Sequence, residues 1–488
     1  MSTIHDQAMN HVYQQVLQRL LSFFSRAERT ALQLLIQRLV VAAGGFERIG
    51  EYKVLVTPTG ERDSSYALAL MRAAQLSLAG RAPATFQLRV ATLRWNGTGE
   101  VALDNMHRSF SALFLYDDPR VELLMVDHRE VRPFNHLAAL SDDGADANRR
   151  NLLMMGHRRN RDEALELWDD TCLATAEFYG QVARWNNGVD ALVSSEPPRR
   201  QMQFMDTLGR AVRKAGIGVL PSGMSGCEGL FAVLDGLGGD LYRGFYTEAE
   251  RIGWCPEGEF ESCRRATYLD IHDMVVGKLE DRWPLLSEFL GFQAVQWALH
   301  QSEGEHADPL VEAHFRGLEA EYIEGRSYNE GFTEHVHKGL EIMRRTQVPE
   351  PVCEQLISRL GHLSDLDDLR QQATTSLHKT FGLSEAQLVC LLFAPFIEHG
   401  AGLERFLRTC HPGMLVAMPD LHRAMQGLHA PEQVMQWMTD VSGLPVRLVG
   451  HLYAMSPLQV GEASLPTSEI ALDHVGHDAA PGDRSAEG

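Results

Sequence analysis

From Ile4 to Phe24 the apolar side chains recur at Met9, Val12, Val16, Leu20 and Phe23, which sets one wide apolar face on a helix. Ser25-Arg26-Ala27-Glu28 reads as a capping box, in which hydroxyl and carboxylate each satisfy a backbone N–H at the start of a second helix. That helix runs through Leu32, Leu35, Leu39 and Val40 and is stopped by Gly44-Gly45. Residues 1–45 therefore predict an antiparallel helical hairpin whose apolar face needs a partner.

The period then shortens. Tyr52 to Thr57 is a β-type run, Phe86 to Leu93 alternates apolar and polar positions, and Ser111 to Tyr116 and Val121 to Val126 read as two further strands. Asp117-Asp118-Pro119-Arg120 between the last two is turn chemistry, and Ser64 to Leu78 reads as a helix. These elements predict a small α/β domain with a mixed sheet over residues 46–140. Ser141 to Ala147 reads as a polar joint, and Arg161 to Trp185 as a long helix ended by Asn186-Asn187-Gly188. Ser194 to Pro198 reads as a second joint.

A helix over Phe204 to Lys214, a strand over Gly216 to Leu220, a loop and a helix from Cys227 give residues 148–258 a strand–loop–helix character. Residues 259–460 predict a C-terminal domain of helices. Its punctuation includes a capping box at Ser384 and Gln387, His411-Pro412-Gly413 and Gly443-Leu444-Pro445. Phe393-Ala394-Pro395-Phe396 reads as a packed helix with a proline bend. Residues 461–488, acidic and rich in small residues and proline, predict a disordered tail. The fold class expected is α+β and predominantly α-helical: an N-terminal helical pair, a small mixed α/β unit and a large all-helical C-terminal region.

Composition narrows the classes of function. With 65 acidic and 45 basic side chains the formal charge is −20, which argues against coating nucleic acid and leaves room only for a local basic pocket. Seven cysteines, an odd number with no CxxC pair, predict reduced thiols in a cytoplasmic protein. The start MSTIHDQAMNHVYQQ has no secretory pattern, and the apolar run Leu388 to Phe396 is far below the ~18 residues of a membrane span.

Two loops carry the candidate chemistry. The first, Thr57 to Ser65, follows a strand and precedes a helix, where unpaired backbone N–H groups suit an anion. Thr59, Gly60, Arg62 and Ser64 are its ligand-binding candidates, although the Lys of a phosphate loop is absent and the stretch equally suits a plain turn capped by Asp63 or Ser64. The second, Pro221 to Gly229, offers Gly223, Ser225 and Gly226 to a ligand, and Cys227 and Ser225 are the weak candidates for a nucleophile. Its Ser lies in GxSG rather than the GxSxG of a nucleophile elbow.

Clusters of arginine are the natural docking points for an anion on an acidic chain. One holds Arg149, Arg150, Arg158, Arg159 and Arg161; the other holds Arg199, Arg200, Arg210, Arg213 and Lys214. Asp270-Ile271-His272-Asp273 contains the His-Asp doublet used on helices by HD-domain phosphohydrolases, and Asp270, His272 and Asp273 are the weak metal candidates. His335 and His337 fall on different sides of a helix and do not form the HExxH pair.

No cofactor follows from these residues. They predict a soluble regulatory or scaffolding protein that works through helical surfaces, with a protein partner or a second copy of itself. The alternative is an enzyme or sensor of a phosphorylated or nucleotide-like small molecule, held at the strand–loop–helix turns by arginines such as Arg210 and Arg213.

Overall fold

Among the described residues six short strands form one mixed sheet in the order β4-β3-β2-β1-β5-β6. They are β1 (Lys53–Val56), β2 (Gln87–Arg94), β3 (Val121–Asp127), β4 (Glu130–Pro133), β5 (Ala191–Ser194) and β6 (Thr267–Asp270). The computed structural model describes residues 2–158, 175, 178–195, 266–293, 309–345, 350–360 and 366–455, with 129, 184 and 276–278 left out. The expected helix over 161–185 is described only at its end, and the elements expected over 196–265 and the acidic tail lie outside the described residues.

All neighbours in the sheet are parallel except β3 and β4, which pair as an antiparallel hairpin. Val56 lies opposite Val90, and Leu55 opposite Leu192. The sheet is not confined to residues 46–140. Its central strand β1 has two edges to satisfy, and parallel pairing requires long crossovers, so β5 and β6 arrive from beyond residue 190. Ser194, expected in a joint, is the last residue of β5.

The expected strand over Ser111 to Tyr116 is absent. Helix α4 (Glu100–Ala112) occupies its start, and Phe114 turns the chain at φ 55. The alternation that suggested a strand comes from Leu113 and Leu115, both buried by the turn.

One face of the sheet is covered by α1 (Ser2–Phe23), α2 (Arg26–Ala43), α3 (Arg62–Ala79) and α4. The helical pair finds its partner in α3, which packs against both α1 and α2 and is buried from Ser65 to Leu78. Leu20, Leu32, Leu35 and Leu39 share that core with Leu68, Met71, Val54 and Val90. The capping box at Ser25 and Glu28 forms, and Gly44 ends α2 at φ 81. Inside this layer Arg72, fully buried, donates to Asp118 (2.8 Å), Gln75 (2.6 Å) and the carbonyls of Leu113 and Phe114 (3.1 Å each). The opposite face sets Leu55, Ala91, Leu124 and Val126 against Phe178, Val182 and Val189.

The stretch expected as a polar joint is instead the start of α5 (Asp142–Gly156). Ser141 Oγ accepts the Gly144 N–H at 3.0 Å, and Asp127 at the end of β3 binds both the hydroxyl and the N–H of Ser141 at 2.9 Å. Asp142 and Asp143 in the first turn complement the partial positive charge of the helix start.

After β6 come α6 (His272–Val275), α7 (Leu279–Pro284) and α8 (Pro309–Glu319). The helix α8 runs on as a π-type turn over Ala320–Glu324, ended by Gly325 at φ 70. Then follow α9 (Tyr328–Arg345), α10 (Glu350–Leu360), α11 (Leu366–Phe381), α12 (Glu385–Phe393), α13 (Leu403–Cys410), α14 (Met418–Met425), α15 (Glu432–Ser442) and α16 (Val446–Tyr453). Phe315, Phe332, Leu377, Phe396, Phe406 and Leu448 lie in one helical core.

The capping box at Ser384 and Gln387 is present. The proline bend is not: α12 ends at Phe393, and Ala394 leaves the helix at φ 44, because a proline disfavours helical backbone in the residue before it. The architecture is α+β and mostly helical, and among the described residues no helix is long and apolar enough to cross a membrane.

Candidate functional site

The parallel strands fall in the order β3-β2-β1-β5-β6, so the chain winds outward in one direction from β1 and then returns to wind in the other. In open parallel sheets the loops at such a reversal part and leave a crevice outside the carboxyl ends of the strands. Here those ends are Thr57 after β1 and Ser194-Ser195 at the end of β5.

The loop after β1 is tied down from behind. Thr92 Oγ1, buried on β2, donates to the Pro58 carbonyl at 2.6 Å. Asn105, buried on α4, donates to the Gly60 carbonyl at 3.1 Å and to the Gln293 carbonyl at 2.8 Å. Its own carbonyl oxygen accepts the Gln293 N–H at 2.9 Å and Arg108 Nη2 at 2.7 Å. Gly60 adopts φ +81, and a Cβ there would lie 2.3 Å from the Ala102 carbonyl oxygen, so only glycine lets the loop sit on α4.

Thr59 donates its N–H to Ser64 Oγ at 3.1 Å, and Ser64 donates to the Glu61 carbonyl at 3.1 Å. Neither Asp63 nor Ser64 caps α3. The helix begins at Arg62, two residues earlier than a cap at Asp63 and three earlier than a cap at Ser64 would require, and the extended residue before it, Glu61, makes no side-chain cap. Thr59 and Gly60 of the loop and Arg62 and Ser64 of the first turn of α3 are thus gathered at one junction, as their closeness in the chain requires.

Asp63 lies 3.3 Å from Arg282 Nη1 and 4.0 Å from Arg62 Nε. Arg282 is the arginine that reaches this loop, and sequence reasoning did not single it out. Its guanidinium lies 5.1 Å from the centre of the Tyr66 ring, whose hydroxyl donates to Glu28. Burial and then Glu28 push the Tyr66 phenol far up, so it stays protonated. Arg210, Arg213, Gly223, Ser225, Gly226 and Cys227 lie outside the described residues.

On the other side of the crevice the Thr57 hydroxyl approaches the Tyr179 hydroxyl at 3.5 Å. Asp270 is the last residue of β6 rather than part of a helix. Its carboxylate accepts the His272 N–H at 2.8 Å, while His272 Nδ1 donates to the Ser195 carbonyl at 3.1 Å. Those bonds build the turn into α6, and Asp273 is exposed. Among the described residues no group of three His, Cys, Asp or Glu could hold a metal ion.

The helical region closes over this edge. Trp95, directly after β2, is buried in the helical core with Leu152, Leu153 and Met154 of α5. The indole lies across Gly97, where a Cβ would fall 2.2 Å from the ring. Arg94 Nη1 donates to the carbonyls of Trp95 (3.1 Å) and Thr98 (3.0 Å), and burial lowers the pKa of its guanidinium. Tyr179 packs against both the helical core and the sheet core.

Arg149, expected as a docking point for an anion, donates to the carbonyls of Gly382 (3.4 Å) and Gly443 (3.5 Å) and fastens α5 to the helices. His335 and His337 part as their spacing predicts, with His337 exposed and His335 facing Glu312 at 3.7 Å.

Comparison of the chain with protein-family models, with curated proteins and with solved structures finds no match in any of the three.

Proposed function

We propose that the protein is a cytoplasmic regulatory sensor of a small phosphorylated or nucleotide-like anion, held at the carboxyl edge of the sheet where strand order reverses between β1 and β5. The observation that carries this reading is the loop 57–61 at that reversal, with two of its carbonyls pinned by the buried Thr92 and Asn105. A loop fixed in advance loses little freedom when a ligand arrives. Helix α3 starts directly behind it with no side-chain cap, and its first-turn N–H groups and partial positive charge suit phosphate or carboxylate. Thr59, Ser64 and Arg62 supply hydroxyls and a guanidinium, and Arg62 with Arg282 offsets the charge of Asp63.

A sensor also needs an output. Trp95 and Tyr179 stand at the same edge and pack into the helical core, so a ligand that moves the edge also moves the helices.

Scanning fluorimetry and titration calorimetry with ATP, AMP, NAD, pyrophosphate and inorganic phosphate test the reading. At least one raises the melting temperature of the wild type, because a ligand bound to the native state alone stabilises it. Arg62→Ala and Ser64→Ala weaken that ligand by roughly tenfold, the scale of a single charge-assisted hydrogen bond. A series with no shift, or one in which both variants bind like the wild type, overturns it.

A second reading, a scaffold that works through helical surfaces with a second copy of the chain, is favoured by the outer side of α2. There Leu34 and Val41 are exposed, with exposed Phe46 just beyond the helix. Light scattering across a concentration series tests it: a monomer at all concentrations, or an oligomer untouched by Leu34→Ser with Val41→Ser, rejects it.

A further inference from the structure

The two sides of α2 differ in character. Leu32, Leu35, Ile36, Leu39 and Ala43 on its inner side are buried in the core of the sheet unit. On its outer side Leu34 is half exposed and Val41 is 79% exposed, and Phe46 stands exposed just past the Gly44 stop. Leu34 and Val41 are seven residues apart, about two turns of helix, so they share one stripe. Arg38, one turn after Leu34, falls on that stripe as well.

The charge of this side is a second observation. Arg26, Arg29 and Arg38 are exposed on α2, and Arg81, past the end of α3, donates across to Gln33 at 2.8 Å. The one acid of the helix, Glu28, is taken up by the Ser25 N–H and the Tyr66 hydroxyl. Arg29 donates to the carbonyls of Leu21 and Phe24, and Arg38 to that of Asp270, bonds that orient a guanidinium without neutralising it. Among the described residues none of Arg26, Arg29, Arg38 and Arg81 makes an ion pair. Elsewhere Arg120, Arg132, Arg316 and Arg370 each meet a carboxylate. In a chain with 65 acidic and 45 basic side chains, unpaired arginines around an apolar stripe call for an acidic and apolar occupant. A second α2 face does not answer that charge.

The chain itself carries a segment of the matching kind. Within residues 469–478, Glu469, Asp473 and Asp478 stand among Ile470, Leu472 and Val475. Residues 456–468, which lie between this segment and the last described residue, Met455, span up to about 45 Å when extended. That is about twice the ~23 Å radius of gyration of a compact chain of this length. Exposed ion pairs are individually weak, so the effective concentration that a tether supplies, in the millimolar range, favours the chain's own segment over a free one.

We infer that residues 469–478 dock on the outer side of α2 of the same chain, their carboxylates on Arg26, Arg38 and Arg81 and their apolar side chains over Leu34 and Val41. The contact depends neither on the anion site at the sheet edge nor on self-association.

A labelled synthetic peptide of residues 465–482 tests this by fluorescence anisotropy on three full-length chains at about 50 mM NaCl. They are the wild type, a tail-neutral chain with Glu469→Gln, Asp473→Asn and Asp478→Asn, and that chain with Arg26→Glu, Arg38→Glu and Arg81→Glu added. The tail-neutral chain is expected to bind the peptide. The wild type binds it roughly tenfold more weakly, because its own segment competes. The chain with the added glutamates binds it at least roughly tenfold more weakly than the tail-neutral chain. No binding to the tail-neutral chain, equal binding by it and the wild type, or undiminished binding after the arginine changes overturns the inference. A second measurement needs no variant. In the wild type, cleavage after Glu469 by a glutamyl endopeptidase, divided by that of the free peptide at the same salt, is expected to rise roughly tenfold from about 50 to about 500 mM NaCl as screening frees the segment. An unchanged ratio overturns the docking, and light scattering that shows a dimer dissolving over the same range assigns the segment to a second copy and overturns the contact within one chain.

Discussion

In the sheet unit the buried cations Arg72 and Arg89 meet carboxylates, Asp118 at 2.8 Å and Glu122 at 2.6 Å, and the half-buried Arg132 meets the buried Asp127 at 2.7 Å. In the helical region the buried titratable groups include three imidazoles, His157, His314 and His335, each held to a pKa of about 4 by burial. The two regions thus answer acid at different points. Burial alone raises the pKa of the Asp118 carboxyl, but hydrogen bonds from Arg120 and the charge of Arg72 outweigh it and bring the value below that of a free aspartate. A carboxyl lowered in this way stabilises the fold at every pH above its unfolded value and fails only as pH falls through the folded one. The imidazoles fail earlier, as pH falls from about 6.5 toward 4. Charge paired in the core resists mild acid, whereas neutrality enforced by burial does not.

The strongest challenge to this contrast is to remove one partner of an ion pair in each region. Asp118→Asn strands Arg72 in the core and is expected to cost about 3–5 kcal/mol in urea unfolding. Glu385→Gln leaves Arg370 partly exposed and still beside Glu321, and is expected to cost about 1 kcal/mol or less. Similar losses in the two would break the comparison.

Next comes His157, whose Nε2 donates to the Ser442 carbonyl at 3.2 Å across α5 and α15. A shift from about 6.5 to about 4 corresponds to roughly 3 kcal/mol, present at pH 7 and lost progressively toward pH 4. Denaturant titrations at pH 7 and pH 4.5 should show a loss in His157→Gln that is smaller than the wild type's by roughly this amount, the remainder coming from His314 and His335.

Gly60→Ala forces a side chain into the +81° backbone and against Ala102, and is expected to cost about 1–3 kcal/mol, read as a fall in the melting temperature of the sheet unit. The smallest effects serve as a control. Ser25→Ala and Ser384→Ala each remove one capping box, one per region, and each should cost about 1 kcal/mol at any pH above 5.

What could be read from the sequence was what neighbours in the chain decide for themselves. Both capping boxes, the Gly44 stop, α3 and the first three strands depend on residues within a few positions of one another. The gathering of Thr59, Gly60, Arg62 and Ser64 at one strand-to-helix junction was legible for the same reason. Strand order was not legible, because the second partner of β1 is chosen by packing and lies more than a hundred residues away. Thr92, Tyr179 and Arg282 reach the loop only through the fold.

Asn105 did leave a signal. It lies on the buried face of α4 among Ala102, Leu103, Met106 and Phe110, and a polar amide in such a stripe calls for buried hydrogen bonds. Edge strand β4, four residues with alternating charge and a proline, carried no apolar pattern to mark it.

The placement of β1 at the centre of the sheet has a consequence for synthesis on the ribosome. Its far edge is closed when Lys53 meets Asp190, 137 residues later, through a 2.8 Å hydrogen bond. At roughly 5–20 residues per second, the nascent chain carries that bare strand edge for about 7–30 seconds. Val54 and Leu55, wholly buried in the finished protein, stand in the open during that interval as a template for stray pairing. A chain released before residue 190 would keep the edge uncovered for good, so truncated products should aggregate unless a chaperone holds them.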